Sequence, residues 1–360
     1  MKLALVHDYL TQIGGSEKVF QYICETFPDA DIYCFGLNEK KTLKFFKNKK
    51  IIVPIYARHI KNRILYNLSF PFLVLFSRFT NFEKYDYVIS SSASISKYIK
   101  AKKPYHICYC YQPTKAIWEY EAFFKNKIFK LIFKLFFLKW LKYTELKLCS
   151  QIDQFITISN FCKKEVKELY KRDSYIIQPP IDLKEFNYSN SKDDYFLLVS
   201  RLEPWKKNEI VIDAFNSLNK KLVVIGTGSE EKYLREKSNK NIIFKGFLSQ
   251  KDLAFYYSKA KAVIMPTHLN YGLTLIEACA SGTPVICLNS PGPQELMIDA
   301  REKKINEFYT GLFFDKLDKR SIINAVETFD NYIFQYSKIY EYSKNWDKKN
   351  FITRFKKILD

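Results

Sequence analysis

Two cations stand close together in the segment VSRLEPWKK, where Arg201 and Lys206 follow an apolar run that predicts a strand. Guanidinium and ammonium groups both donate charge-assisted hydrogen bonds to phosphate oxygens, so a pair of them at a strand's end is suited to neutralise a diphosphate. The alternative is that both are ordinary solvated surface charges. The spacing alone leaves both interpretations open.

Two glycine-containing turns separate predicted strands from predicted helices, as phosphate-binding loops do. Gly14 and Gly15 lie in IGGSEK, and Gly226 lies in VIGTGSEE. Glycine lets backbone amides approach a phosphate, and the positive end of the following helix favours the anion. Neither turn has the GxGxxG spacing, so a simple strand-to-helix turn is the alternative for each.

A third turn lies within PTHLNYGLTLIEACASGTPVI, residues 266–286, which predicts a strand, a loop, a helix and a second strand. The backbone amides of Gly272, Leu273 and Thr274 open this helix and are suited to bind an anion. We expect Glu277 in its first turn, where a carboxylate is able to accept hydrogen bonds from the paired hydroxyl groups of a ribose. The alternative is an acid that only offsets the helix dipole.

The composition points to an anionic partner. The net charge is +20, from 58 Lys and Arg against 38 Asp and Glu. Such an excess indicates nucleic acid, an acidic lipid surface or phosphorylated ligands, or a lysine-rich composition bias. No nucleic-acid motif accompanies the charge, so a nucleic-acid partner is not expected. Eight cysteines lack CxxC or CxxH spacing, which argues against zinc and a disulfide framework and for a reducing compartment.

Residues 123–148 combine lysines with large aromatic side chains. On a helical wheel the basic side chains gather on one side, and apolar side chains including Trp140 occupy the rest. The basic residues are Lys127, Lys130, Lys134 and Lys142. This composition is typical of an interfacial helix on an anionic membrane, to which residues 64–79 add apolar surface. The alternative is a core helix with a solvated lysine edge. No apolar run reaches ~18 residues, so no spanning helix is expected.

The elements that would position these residues alternate between strand and helix in both halves of the chain. Two successive alternations, joined by a linker near residues 181–193, predict an α/β fold with two Rossmann-like domains facing a cleft. We expect an N-terminal domain over residues 1–185 and a C-terminal domain over residues 190–340. Ligands of such sheets bind at the carboxyl ends of the strands, which is where the unusual loops fall.

Taken together, several long stretches in this order resemble the family 4 glycosyltransferases over nearly the whole chain. These enzymes are retaining and metal-independent and have the GT-B architecture. The likeness is greatest to the bacterial mannosyltransferase-like branch that builds O-antigen and capsule sugars. The stretches are VHDYLTQIGGSEKVFQYICETFPDADIY, YDYVISSS, HICYCYQPTKAIWEY, ISNFCKKEV, PPIDLKEF, VSRLEPWKK and GLTLIEACASGTPVI.

The resemblance implies roles for both domains. The first domain would bind the acceptor, a polyprenyl-diphosphate-linked saccharide, and the second a GDP- or UDP-linked sugar. Residues 341–360 would form a helix that returns to the first domain. Arg201 and Lys206 become the expected catalytic ligands of the donor diphosphate. The remaining expected donor contacts are Gly14, Gly15, Gly226, Gly272, Leu273, Thr274 and Glu277. The resemblance implies no cofactor and no metal, and a cytoplasmic enzyme peripheral on the inner face of the cytoplasmic membrane.

Two positions depart from the family pattern. Leu269 stands where the family has a first glutamate that contacts the donor sugar, and Tyr111 stands where it usually has a histidine. A tyrosine replaces the hydrogen bonding of histidine but not its basicity at neutral pH. We expect the sugar and acceptor pocket at Tyr111, Lys115, His268, Leu269 and Asn270. The alternative function is a catalytically weakened nucleotide-sugar-binding subunit of a membrane glycan-assembly complex.

Overall fold

The computed structural model describes residues 1–42, 45–46, 49–123, 130–131, 133–303 and 307–359. The chain divides into two compact units. The first contains Met1–Pro179 together with the residues from Phe351 onward, and the second contains Pro180–Asn350. Each unit has its own parallel sheet, so the expected α/β class with two Rossmann-like domains is confirmed.

The first unit is organised around seven described strands in the order β3-β2-β1-β4-β5-β6-β7, all parallel. The strands are β1 (Leu3–His7), β2 (Asp31–Cys34), β3 (Ile51–Ile52), β4 (Tyr87–Ser92), β5 (Tyr105–Cys110), β6 (Gln154–Thr157) and β7 (Ser174–Ile176). Every residue of β1 is buried, because helices cover both faces of a parallel sheet. The order reverses between β1 and β4, and this switch point is where doubly wound sheets bind ligands.

The helices whose bounds the structure describes in the first unit are α1 (Gly15–Thr26), α2 (Glu39–Thr42), α3 (Arg63–Phe76), α4 (Lys115–Trp118), α5 (Tyr120–Phe123), α6 (Leu138–Cys149) and α7 (Asn160–Tyr170), with short 3-10 turns at Ile55–Ala57, Ser77–Phe79 and Ser96–Tyr98. Side chains cap two of them. Asn62 accepts a hydrogen bond from the amide of Leu65 at the start of α3, and Ser159 accepts one from Cys162 at the start of α7.

The single helical wheel expected for residues 123–148 does not hold. A π-helical turn, Phe133–Phe137, precedes α6. A π turn contains more residues than an α turn, so it rotates the side chains on either side of it relative to one another. The lysines on either side of this turn are therefore not spaced around the axis as on a single α-helical wheel. Lys127 lies outside the described residues.

The second unit repeats the same topology with six described strands in the order β10-β9-β8-β11-β12-β13. They are β8 (Phe196–Val199), β9 (Leu222–Ile225), β10 (Ile242–Gly246), β11 (Ala262–Met265), β12 (Val285–Leu288) and β13 (Gly311–Phe314). The order reverses between β8 and β11. The loops that follow these two strands carry the predicted cations and the predicted anion-binding turn.

The described helices of the second unit are α8 (Asn208–Ser217), α9 (Glu231–Lys237), α10 (Gln250–Lys259), α11 (Leu273–Ala280), α12 (Pro291–Leu296), α13 (Lys319–Thr328) and α14 (Tyr336–Ser343), with 3-10 turns at Leu183–Glu185, Pro204–Lys206, Ala300–Glu302, Phe329–Asn331 and Lys344–Trp346. Ser249 caps α10 by accepting a hydrogen bond from the amide of Asp252. The last helix, α15 (Lys348–Lys356), carries Phe351 and Phe355, whose ring centroids lie 6.1 and 5.5 Å from that of Tyr109. The end of the chain thus packs into the core of the first unit.

Candidate functional site

In the second unit, the loop after β8 holds both predicted cations against one indole ring. The guanidinium carbon of Arg201 lies 5.1 Å from the ring centroid of Trp205, and Nζ of Lys206 lies 4.5 Å from it. Both distances are within the range of cation–π attraction. The exposed Trp205 therefore restricts where the two positive charges stand, which suits a preformed anion site.

A buried amide holds the backbone of this loop. Asn208 is completely buried, and its side-chain nitrogen donates a hydrogen bond of 2.9 Å to the carbonyl oxygen of Arg201. Lys207, just before it, has a φ of 56°, a left-handed conformation that turns the chain from the 3-10 turn into α8. The sequence analysis missed Asn208. The available signal was an Asn at the start of a helix next to two lysines.

The loop after β11 is attached to the loop after β8. The hydroxyl group of Thr267 donates a hydrogen bond of 2.9 Å to the carbonyl oxygen of Lys206. Lys206 is thereby brought next to the segment that opens α11, as the sheet order requires. These two loops are the part of the predicted donor site that the structure brings together.

Gly226 is required by packing. Its φ is +131°, and an added Cβ would lie 1.9 Å from the carbonyl oxygen of Ser200 on the neighbouring chain segment. A glycine is therefore needed there whether or not a ligand binds. Its expected contact with the donor stays a prediction.

The turn before α11 has an apolar side chain where the family has an acid. Leu269 is half-buried, and its Cδ1 would lie 3.1 Å from a Cβ added to Gly272. The amide of Leu269 donates to Ser290 Oγ at 3.3 Å, and its carbonyl accepts from the amide of Gly292 at 2.8 Å. Residue 269 is thus fixed by the start of α12. His268 beside it is exposed, and Asn270 is half-buried.

Glu277 lies in the second turn of α11, because the helix begins at Leu273, and the expectation of a first-turn position is wrong. The effect of a helix dipole falls off within the first turn, so offsetting the dipole is a weaker explanation of this acid. Glu277 is buried, and its Oε2 accepts a hydrogen bond of 2.9 Å from the hydroxyl group of the buried Tyr257. Tyr257 therefore orients the carboxylate. The expected ribose contact stays a prediction.

In the first unit, a cavity of about 380 Å³ lies at the carboxyl ends of β1, β4 and β5. Its polar wall includes Asp8, Gln112 and Lys115, and its apolar wall includes Leu68 of α3 and Phe137. Of the residues expected to form the sugar and acceptor pocket, Lys115 lines this cavity. We name this space the first-unit cavity.

Asp8, which the sequence analysis did not single out, organises one side of the first-unit cavity. Its buried carboxylate accepts hydrogen bonds from the backbone amides of Ala93 at 2.7 Å, Ser94 at 2.9 Å and Ser96 at 2.7 Å. It also accepts from the hydroxyl group of Ser96 at 2.8 Å. These donors are in the serine cluster after β4, so Asp8 joins the two strands at the switch point.

The Gly-Gly turn before α1 already contains a carboxylate. The amide of Gly14 donates a hydrogen bond of 2.8 Å to Oε2 of Glu17, which is buried and also lines the first-unit cavity. A helix N-terminus attracts anions, and here Glu17 is one. Gly15 is the first residue of α1. The expected phosphate contacts of Gly14 and Gly15 stay predictions, with Glu17 as an internal competitor.

Tyr111 is held between two elements. Its hydroxyl group donates a hydrogen bond of 3.0 Å to the carbonyl oxygen of Ser16 and lies 2.9 Å from Ser91 Oγ. Burial raises the pKa of Tyr111 well above its ordinary value, so the hydroxyl group keeps its proton. Tyr111 is not among the residues that line the first-unit cavity. Tyr111 therefore connects the start of α1, at Ser16, to Ser91 of β4.

The first unit also exposes large apolar side chains on one face of α3. Ile64, Leu68, Phe72 and Phe76 follow one another at four-residue intervals, and Leu68 and Phe72 are each 64% exposed. The opposite face packs into the core, so α3 carries apolar side chains on both its buried and its exposed faces. None of the described helices is both long enough and apolar enough to span a bilayer.

The π-helical turn adds exposed apolar groups next to charged ones. Leu135 and Phe136 are exposed, and the same turn exposes Lys134. Lys130 is half-buried and donates to the carbonyl oxygen of Glu121, and Trp140 is half-buried against the core. We name these exposed apolar side chains of α3 and of this turn the apolar surface; they are Ile64, Leu68, Phe72, Phe76, Leu135 and Phe136.

No group of His, Cys, Asp or Glu suited to hold a metal ion is found in the part of the chain that the structure describes. All eight cysteines are free and buried.

The comparisons with known proteins agree with the fold and with the predicted family. Residues 181–346 match the model of the family "Glycosyl transferases group 1". The alpha-1,3/1,6-mannosyltransferase ALG2 of Dictyostelium discoideum is 24% identical over 84% of this chain and 85% of its own length. The O-antigen chain mannosyltransferase RfbU of Salmonella typhimurium is 26% identical over 60% of this chain and 61% of its own. An uncharacterized glycosyltransferase of Methanocaldococcus jannaschii, MJ1178, is 26% identical, and the match spans 46% of each chain.

Solved structures match the whole chain. The apo form of the lipopolysaccharide outer core galactosyltransferase WaaB has a TM-score of 0.65, 17% identity, and coverage of 99% of this chain and 98% of its own. Anabaena Alr3699/HepE in complex with UDP has a TM-score of 0.71, 16% identity, and coverage of 100% and 99%. Both likenesses concern the fold. Together with the family model, they confirm the resemblance to glycosyltransferases of GT-B architecture.

Proposed function

We propose that this chain, whose residues 181–346 form a glycosyl transferases group 1 domain, is a retaining, metal-independent hexosyltransferase of surface glycan synthesis. It would move a hexose from a nucleotide-diphosphate sugar, GDP- or UDP-linked, to a hydroxyl group of a lipid-linked or polysaccharide acceptor. One observation carries the proposal. Thr267 joins the loop of Arg201 and Lys206 to the segment that opens α11, so two cations and a helix start share one edge of the second sheet.

The second unit would hold the donor. Arg201 and Lys206 bind the diphosphate, and the amides of Gly272, Leu273 and Thr274 add partial positive charge from the helix start. Glu277, oriented by Tyr257, accepts hydrogen bonds from the ribose hydroxyl groups. Preorganised charges of this kind stabilise a leaving group, because they need no rearrangement when its negative charge develops.

In the proposed reaction the leaving diphosphate takes the proton of the acceptor hydroxyl on the same face from which it departs. The protein then mainly positions the reactants and stabilises charge, and needs no carboxylate nucleophile. The replacement of the family's glutamate by Leu269 is compatible with this mechanism. The two cations would each contribute roughly 3 kcal/mol of transition-state stabilisation, by analogy with other preorganised donors.

The first unit would hold the acceptor, a polyprenyl-diphosphate-linked saccharide, in the first-unit cavity. Leu68 and Phe137 are exposed apolar residues that also line this cavity, so an acceptor with an apolar chain has a continuous path from it to the apolar surface. A surface of this kind beside lysines fits the headgroup region of an anionic membrane. We therefore infer a cytoplasmic protein that lies peripherally on the inner face of the membrane.

The test starts with calorimetry of GDP, UDP and ADP, each free and as the common sugar conjugates, and continues with donor hydrolysis and transfer on whichever donor binds. Arg201→Ala and Lys206→Ala are expected to lower turnover by about a hundredfold or more with unchanged thermal stability. Arg320→Ala and Lys232→Ala, which remove exposed cations of the same unit, serve as matched controls. Equal turnover in the Arg201 variant and its control would overturn the assignment.

A second candidate function has one observation in its favour. Leu269 puts an apolar side chain at the turn where the family has a sugar-contacting acid, and the start of α12 fixes it there. A nucleotide-sugar-binding subunit of a membrane glycan-assembly complex would bind nucleotide with neither sugar preference nor turnover. The same calorimetry and hydrolysis experiments distinguish the two.

A further inference from the structure

A chain of three contacts starts at the buried imidazole of His7 and ends at a backbone carbonyl. Nδ1 of His7 lies 3.0 Å from Ser91 Oγ. Ser91 Oγ lies 2.9 Å from the hydroxyl oxygen of Tyr111, which in turn lies 3.0 Å from the carbonyl oxygen of Ser16. All three distances are those of hydrogen bonds.

The direction of each bond follows from counting protons. The carbonyl oxygen of Ser16 has no proton, so Tyr111 donates its single hydroxyl proton to it. Ser91 must then donate its own single proton to Tyr111. The remaining contact is a hydrogen bond only if Nδ1 of His7 carries a proton and donates it to Ser91. No other assignment turns all three contacts into hydrogen bonds.

The same assignment leaves the second ring nitrogen as an acceptor. Burial lowers the pKa of His7, so the ring is neutral at pH 7 and its single proton is the one on Nδ1. Nε2 then carries a lone pair, and no hydrogen bond to it is found among the described residues. The ring is stacked on Phe20, with centroids 4.6 Å apart and an interplanar angle of 16°, which fixes its plane.

His7 lines the first-unit cavity together with the carboxylates of Asp8 and Glu17. The three side chains differ in whether their acceptor atoms are already used in hydrogen bonds within the protein. Asp8 already accepts four hydrogen bonds from Ala93, Ser94 and Ser96. Glu17 already accepts from Gly14. His7 therefore has a ring nitrogen, Nε2, that no hydrogen bond among the described residues uses.

We propose that Nε2 of His7 accepts a hydrogen bond from a hydroxyl group of the saccharide acceptor, and that Ser91 and Tyr111 are positioning residues that fix the Nδ1–H tautomer. The identity of the ligand rests on the proposed function, whereas the tautomer does not. Tyr111, which stands where the family usually has a histidine, thus orients, through Ser91, an imidazole that strand β1 supplies. The side chain that departs from the family pattern gains a specific role.

The first measurement is long-range proton–nitrogen NMR of the full chain labelled with 15N-histidine. The chain has four histidines, and the His7 signals are identified by their loss in His7→Asn. We expect a protonated Nδ1 and an unprotonated Nε2 in the unaltered protein. Tyr111→Phe and Ser91→Ala should produce a mixture of the two tautomers. A protonated Nε2 in the unaltered protein would overturn the inference.

The second measurement is transfer kinetics with octyl glycosides of mannose, glucose and galactose as acceptor probes. His7→Asn keeps an amide near the position of Nδ1 and lacks Nε2. It is expected to raise the KM for the acceptor about tenfold, which corresponds to one lost hydrogen bond, and to leave the KM for the donor unchanged. His59→Asn, at an exposed histidine of the same unit, is the matched control.

Each failure has its own signature. An acceptor KM that is equal in His7→Asn and His59→Asn contradicts the inference while the transferase assignment stands. Absence of transfer by the unaltered protein contradicts the proposed function instead. In that case titration with the same octyl glycosides decides the inference, because a bound hydroxyl group must shift the Nε2 resonance of His7. A resonance that does not move at saturating glycoside would contradict it.

Discussion

The ammonium group of Lys97 lies 3.4 Å from Oε1 of Glu145, and both side chains are completely buried in the first unit. Burial lowers the pKa of Lys97, but the neighbouring Glu145 carboxylate and, to a lesser extent, Cys110, Cys149 and Cys108 together raise it by more, so that it stands above its ordinary value. Oε2 of Glu145 also accepts a hydrogen bond of 3.0 Å from the indole of Trp118. The ion pair therefore supports α4 through Trp118, and this helix carries Lys115, which lines the first-unit cavity.

We expect Lys97→Met to lower the free energy of unfolding by about 3 to 5 kcal/mol, because it leaves the buried Glu145 without its counter-charge. The double variant Lys97→Met with Glu145→Leu should recover most of that loss. Urea unfolding measures both. Lys164→Met, which removes an exposed partner of Glu168, is the matched control and should change stability by less than about 1 kcal/mol. A loss for Lys97→Met no greater than the control's would show that the pair contributes nothing.

Glu165 on α7 should make stability depend on pH. Burial, together with the neighbouring carboxylates of Glu119 and Glu168, raises the pKa of its carboxyl group to about 7, although Lys115 and Lys97 lower it. The folded state thus binds a proton more tightly than the unfolded chain, so the stabilisation is complete below the unfolded pKa and is lost as pH rises through about 7. Glu165→Gln is expected to raise the Tm at pH 8 and to have little effect at pH 4.

Glu83, an exposed acid of the same unit, provides the control for this experiment. It is not among the groups that shift the pKa of Glu165, so Glu83→Gln should give the same small change at both pH values. A Tm difference between Glu165→Gln and the unaltered protein that does not vary with pH would refute the assignment of the carboxyl group as protonated.

The sequence predicted most of the fold because strands in these sheets are buried on both faces. LALVH, VISSS and VICL read as strands without knowledge of the sheet, and the alternation with helices then implied parallel pairing. β13, Gly311–Phe314, was not predicted. The π-helical turn was also missed, because an apolar run without a clear period does not reveal a change of pitch.

The sequence predicted the site residues whose role follows from their charge and from their position after a strand, as for Arg201 and Lys206. It was not predictable where partners far apart in sequence decide it. Asp8 is placed by amides 85 to 88 residues further along the chain. Asn208 binds a carbonyl that carries no sequence signal of its own. His7 became informative only when its bond to Ser91 was seen, because the proton count needs all three contacts.

The ribose contact proposed for Glu277 predicts a change in nucleotide discrimination. The unaltered protein should bind UDP or GDP about tenfold more tightly than the 2′-deoxy form, since a hydrogen bond to a charged acceptor is worth roughly 1.5 to 3 kcal/mol. Glu277→Gln keeps the volume and an oxygen for Tyr257 but loses the charge, so the ratio should fall about threefold or more. Calorimetry with both nucleotides measures it. Glu302→Gln, at an exposed acid of the same unit, should keep the ratio, and a ratio that Glu277→Gln also leaves intact would remove Glu277 from the ribose site.

The apolar surface predicts binding to anionic membranes through two separable contributions. Leu68→Gln with Phe72→Gln removes two exposed apolar side chains from one face of α3, and should weaken sedimentation with both neutral and anionic liposomes because apolar insertion does not depend on lipid charge. Replacing Lys127, Lys130 and Lys134 by Glu should abolish binding to anionic liposomes only. Its effect should shrink at high salt, where surface charges are screened.

Exposed residues of the second unit provide matched controls for both variants. Phe247→Gln removes an aromatic side chain that is 84% exposed, and Lys232→Glu reverses an exposed charge. Neither should change sedimentation, because the proposed surface belongs to the first unit. If Phe247→Gln weakened binding as much as Leu68→Gln with Phe72→Gln, association would reflect general hydrophobicity. If no variant had an effect, the peripheral location would have to be abandoned while the donor assignment at Arg201 and Lys206 stood unaffected.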